Sequence, residues 1–157
     1  MADLILSRRD ALAGLGATML LLTAVPLPGF AADADTAEAI KQQFGDRVAQ
    51  DGKVTLKLPA LAETGNSVPI TCSVDSPMTD ADRVVRVAIF ANRNPRPLIA
   101  NMLFGPKAGQ AMFSTNMRLS GTQDVIAIAE MADKSLWKTQ TRVKVTVGAC
   151  DTLQSRY

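Results

Sequence analysis

This 157-residue sequence predicts an all-β fold, an immunoglobulin-like antiparallel sandwich with a short N-terminal helix. About seven short runs of β-branched and apolar residues recur at turn spacing, separated by clusters of Gly, Pro, Asn and Asp. No strand–helix–strand alternation interrupts them, so a parallel α/β sheet is not expected. The one stretch with helical spacing precedes all the strands.

At the N-terminus, Ser7-Arg8-Arg9-Asp10-Ala11-Leu12 opens an apolar stretch running to about Leu27, followed by Pro28-Gly29-Phe30-Ala31-Ala32. This is the pattern of a twin-arginine export signal over residues 1–31, with small residues placed for cleavage after Ala31 or after Ala34. A spanning helix needs about 20 apolar residues. This run is shorter and holds Gly14, Gly16, Pro26 and Pro28, so stable membrane association is not expected. The expected location is the periplasm, reached in the folded state. About 125 residues remain, the size of one domain. They divide into a sandwich over 32–147 and a C-terminal arm over 148–157.

Within the domain, Ala37, Ile40, Phe44 and Val48 lie at helical spacing, and Asp35 with Glu38 three residues on resembles a capping box. A helix is therefore expected over 34–50. Alternation predicts strands at 54–58 and 67–74, the latter following a turn at Glu63-Thr64-Gly65-Asn66. Pro77 to Asp82 turns the chain into a strand over 84–91. Asn92-Arg93-Asn94-Pro95-Arg96-Pro97 is a stiff loop, because its prolines fix φ and remove ladder donors. Strands over 98–104, 111–119, 124–131 and 136–147 complete the series.

Composition excludes much chemistry. The chain has no histidine, which removes Ser-His and Cys-His catalysis and imidazole metal sites. Its formal net charge of +2 implies no nucleic-acid partner. Asp75, Asp80 and Asp82 cluster around a turn without the spacing of a calcium loop, and turn capping accounts for them. Met102, Met112, Met117 and Met131 are scattered over several strands, as gap-fillers or interface residues rather than copper ligands. Arg93 and Arg96 belong to a solvated loop that could also meet an anion or a partner's acidic surface. No cofactor, metal site or catalytic residue is expected.

Two cysteines remain. Cys72 shares the apolar face of its strand with Val68, Ile70 and Val74, the setting of a small core residue. Cys150 follows the strand ending at Val147, with Gly148 supplying flexibility to the arm. A Cys72–Cys150 bridge needs Cα atoms within about 7 Å and would pull the tail back onto the sheet. The two settings do not match. No base adjoins Cys150 to lower its pKa, so its thiol reads as an acceptor activated by another protein. The plain alternative is a free or dimer-forming cysteine on a frayed terminus.

Six stretches occur in order along the chain: Gly52-Lys53-Val54-Thr55-Leu56, Gly65-Asn66-Ser67-Val68-Pro69, Val74-Asp75-Ser76-Pro77-Met78-Thr79, Asn94-Pro95-Arg96-Pro97, Thr122-Gln123-Asp124-Val125-Ile126-Ala127 with Ala129-Glu130-Met131, and Val143-Lys144-Val145-Thr146-Val147-Gly148. In these stretches the chain resembles the SoxY family of sulfur carrier subunits. The resemblance implies a periplasmic, non-catalytic carrier of thiosulfate oxidation, paired with a SoxZ-like subunit. Cys150 would be the covalent sulfur attachment point, loaded as an S-thiosulfonate by a haem protein and served by dimanganese and molybdenum enzymes. Where the family has a Gly-Gly-Cys-Gly-Gly arm, this chain has Ala149 before the cysteine and Asp151 after it, and Thr152 to Tyr157 extend past the usual end. A second reading follows from those departures: a diverged interaction module that carries no sulfur.

Overall fold

The computed structural model describes residues 28–149; residues 1–27 of the expected signal, and Cys150 with residues 151–157, lie outside the described residues. Among the described residues one helix, α1 (Pro28–Phe44), precedes nine strands: β1 (Ala49–Asp51), β2 (Val54–Lys57), β3 (Leu61–Thr64), β4 (Val68–Val74), β5 (Val84–Ala91), β6 (Leu98–Leu103), β7 (Ala111–Met117), β8 (Gln123–Met131) and β9 (Leu136–Val147). The larger sheet runs β1-β9-β8-β5-β6, with β3 also pairing β9, and the smaller runs β2-β4-β7. The predicted β-sandwich with its N-terminal helix is the observed fold.

Periodicity explains the layers. Along β4 the side chains of Val68, Ile70, Cys72 and Val74 are buried on one face, while Pro69 is exposed and Thr71 and Ser73 are only partly covered. They meet Val87 and Ile89 of β5, Val125, Ala127 and Ala129 of β8, and Val143 of β9 in a single core. In β5 and β8 the alternation disappears, and their last residues are buried continuously. The reason is a second covering layer: Ala88, Phe90, Ile128 and Leu136 on the far face of the larger sheet pack against Phe44 of α1. The Phe44 and Phe90 rings meet edge to face, with centroids 6.4 Å apart. Burying Phe44 contributes about 2–3 kcal/mol.

Ions fasten the same helix end. Glu130 of β8, 6 % exposed, accepts from Arg86 Nη2 at 2.7 Å and from Arg47 Nη1 at 2.8 Å. Arg86 Nη2 also donates to the Gln43 carbonyl at 2.9 Å, and its guanidinium lies 4.5 Å from the Phe44 ring centroid. Arg47 Nε donates to the Phe44 carbonyl at 2.8 Å. Burial alone pushes the Glu130 carboxyl upward, but the hydrogen bonds and charges of the two arginines outweigh it and hold the group below its usual value.

Several expectations need correction. The helix spans 28–44 rather than 34–50, so Asp35 is interior rather than a cap, and Val48 is 86 % exposed. Gly45 stops it: with φ of +68° it adopts the left-handed conformation, and its N–H donates to the Lys41 carbonyl at 2.7 Å. The chain released there forms β1, which pairs with Leu136–Lys138 of β9 in parallel. β3, over part of the expected turn, pairs in parallel with Leu61 opposite Lys144 and Thr64 opposite Val147. All other pairings are antiparallel. These short parallel strands exist because β9, twelve residues long, offers backbone groups that β8 does not use.

Candidate functional site

The chain leaves β9 at one end of the sandwich, where three segments converge on it. Gly65, after β3, donates its N–H to the Val147 carbonyl at 2.8 Å and accepts from the Leu119 N–H at 2.8 Å. The Leu119 carbonyl in turn accepts the Ala149 N–H at 3.0 Å. Gly148 and Ala149 are both buried, the latter 8 % exposed. A side chain at residue 65 has no room: a Cβ there would collide with the Leu119 carbonyl oxygen and lie 2.9 Å from the Ala149 nitrogen. Glycine is needed here for close backbone approach, not for its dihedral freedom.

The stiff loop over 92–97 braces this clasp. Asn94 Oδ1 accepts from the Ser120 N–H and from Gln123 Nε2, each at 2.9 Å, and its Nδ2 donates to the Arg118 carbonyl at 2.8 Å. Gln123, 1 % exposed, returns its Oε1 to the Arg93 N–H at 2.8 Å. Ser120 Oγ donates to the Arg93 carbonyl at 2.7 Å, and Arg93 Nη1 to the Thr122 carbonyl at 3.2 Å. Thr122 Oγ1 accepts the Val145 N–H at 3.0 Å, tying the same segment to β9. The segment on either side of Leu119 is thereby fixed by buried or half-buried amide groups, whose loss would leave polar atoms unsatisfied.

The sequence-predicted residues fall as follows. Cys150 lies outside the described residues. Gly148, expected to loosen the arm, is buried beside the Ala149 clasp. Cys72 is free and fully buried, opposite Leu56 and Phe113, and burial pushes its thiol up to about 12. At neutral pH it holds essentially no thiolate. Asp82 takes part in turn bonding with Ser76 and Thr79 and pairs with Lys53 at 3.6 Å, and among the described residues no group of His, Cys, Asp or Glu is placed to hold a metal. Met117 and Met131 are core residues, whereas Met102 and Met112 are exposed. No helix among the described residues is long and apolar enough to cross a membrane.

Sequence reasoning missed Gly65 and Leu119, because their role is in backbone groups distant along the chain. Asn94 and Gln123 left a faint trace: an amide within a proline loop and another at the start of an apolar strand.

Solved structures similar to this one include a sulfur carrier protein and superoxide reductases. The structure of the sulfur carrier protein SoxY from Chlorobium limicola f thiosulfatophilum matches with a TM-score of 0.62 and 25 % identity, over 73 % of this chain and 98 % of that one. A superoxide reductase (neelaredoxin) from Ignicoccus hospitalis matches with a TM-score of 0.54 at 17 % identity, over 72 % of this chain and 90 % of its own. A putative superoxide reductase from Thermotoga maritima gives 0.54 at 14 %, over 62 % and 93 %. Those two share the fold alone. The sequence has no match among curated proteins. The family model of the sulfur oxidation protein SoxY matches residues 40–150, spanning the helix end, both sheets, the clasp and the cysteine beyond it. The chain belongs to the SoxY family of sulfur oxidation proteins.

Proposed function

We propose that this chain is a non-catalytic covalent carrier of sulfur intermediates, with Cys150 as the attachment point. The observation that carries the reading is the burial of the other thiol in the sequence, Cys72. Cys72 is sealed in the core, while the chain is anchored up to Ala149 and Cys150 follows by one peptide bond, about 3.8 Å between Cα atoms. The family match ends at that residue. Loading with thiosulfate forms an S–S bond between Cys150 Sγ and the outer sulfur. The thiol gives up its proton, and two electrons pass to a haem-containing partner. Hydrolysis by a dimanganese enzyme then frees sulfate and leaves a persulfide on Cys150, a substrate for a molybdenum protein.

The working assembly is a complex with a SoxZ-like subunit in the periplasm, exported through the twin-arginine segment over 1–31. Intact-mass analysis of the purified complex, incubated with thiosulfate and the haem-containing partner, tests the reading. A thiosulfonate adduct is expected on wild type and absent from Cys150→Ser. An unmodified wild-type chain, under conditions that load another family member, favours the interaction module.

A further inference from the structure

The loop over 92–97 carries more structure than a connection between β5 and β6 requires. Two-residue turns join strands more economically. Here Asn94 and Arg93 are bonded to the segment over 118–123. That segment supplies the Leu119 carbonyl to Ala149. The loop, the turn at Gly65 and the tail root therefore form one rigid end of the sandwich.

Its charge is biased. Arg93, Arg96 and Arg118 are exposed on it. The acids at this end are Glu63, Asp124 and Asp33 of α1; Asp124 is paired with Arg142 at 3.5 Å, and Asp33 Oδ1 accepts from Asn92 Nδ2 of the loop at 3.0 Å. Exposed guanidiniums carried on a braced backbone steer an acidic partner and engage its carboxylates in forked hydrogen bonds.

The clasp also limits reach. An arm free from Val147 would hold its cysteine three residues out, roughly 10 Å from the strand end. With Gly148 buried and Ala149 bonded, that slack is removed, so an enzyme acting on Cys150 has to come against the surface around the root. We infer that the end of the sandwich bearing Arg93, Arg96 and Arg118 is the docking face for the enzymes that load and unload Cys150, and that those enzymes present an acidic surface around their active-site entrance. This rests on the carrier reading and adds to it where the partner binds and by what chemistry.

The test uses the complex with the SoxZ-like subunit and the haem-containing loading enzyme. Binding is measured directly with Cys150→Ser, and loading by mass with the native cysteine. The R96E/R118E double variant is expected to lower the second-order loading rate and the affinity about tenfold at low ionic strength, with the difference shrinking as salt is added. Alkylation of Cys150 by iodoacetamide, which needs no docking, should stay within about twofold of wild type. Lys107→Glu, in the loop joining β6 to β7 at the opposite end, should leave all three readouts unchanged. Unchanged binding and loading in R96E/R118E, or an equal loss in Lys107→Glu, overturns the inference. Salt-sensitive binding through the arginines without any adduct on wild type upholds the docking face and overturns the carrier reading.

Discussion

The C-terminal end of α1 and the root of the tail are fastened to the same sheet by different means. The C-terminal end of α1 is held by Phe44 against Phe90 and by Glu130 between Arg47 and Arg86. The root of the tail is held by backbone amides of Gly65, Leu119 and Ala149, braced by Asn94 and Gln123. The first fastening titrates and the second does not. The root keeps its register across pH because the groups holding it carry no charge.

The largest expected effect breaks the charged fastening. Glu130→Gln leaves Arg86 facing Phe44 without its counter-charge, a loss of about 3 kcal/mol. That should appear as a fall of roughly 10 °C in the thermal midpoint, with the Ala149 amide still protected below the transition. Loss of protection at Ala149 in this variant would show that the two fastenings are coupled.

Gly65→Ala attacks the other end. Overpacking against the Leu119 carbonyl should cost about 2 kcal/mol and speed exchange at Ala149 beyond what the lost global stability explains. Wild-type stability in this variant would mean that the approach of residues 65, 119 and 149 is looser than described.

A smaller effect separates the ends by pH. The folded state holds the Glu130 carboxyl below its ordinary value, against the pull of burial. Its stabilisation is therefore fully present above about pH 4.3, the unfolded value, and is lost as pH falls through the lowered folded value. Denaturant unfolding at stepwise lower pH should show wild type losing stability toward the Glu130→Gln variant in that acid window. Parallel curves for the two proteins would contradict the assignment.

Much of this was legible in the sequence, and the reasons differ by element. The alternation of β4 is visible because one face meets the core and the other lies toward solvent. In β5 and β8 the unbroken apolar run signals burial on both faces, and the helix that provides the second cover is visible in Ile40 and Phe44. The end of that helix was misplaced because Val48 continues the apolar spacing, while Gly45 stops the backbone. β1 and β3, three and four residues long, are too short to show a period and owe their existence to β9. Cys150 stood out by position, and Cys72 by its neighbours. The clasp did not, because contacts among residues 65, 119 and 147–149 use peptide groups that every residue carries.

Amide hydrogen exchange at Ala149 tests most directly the claim that the fold is fixed up to the residue before Cys150. The account predicts exchange slowed about 100-fold or more relative to free peptide, in step with Leu119, its bonding partner in the clasp. Exchange at Ala149 at the free-peptide rate, with Leu119 protected, would contradict it.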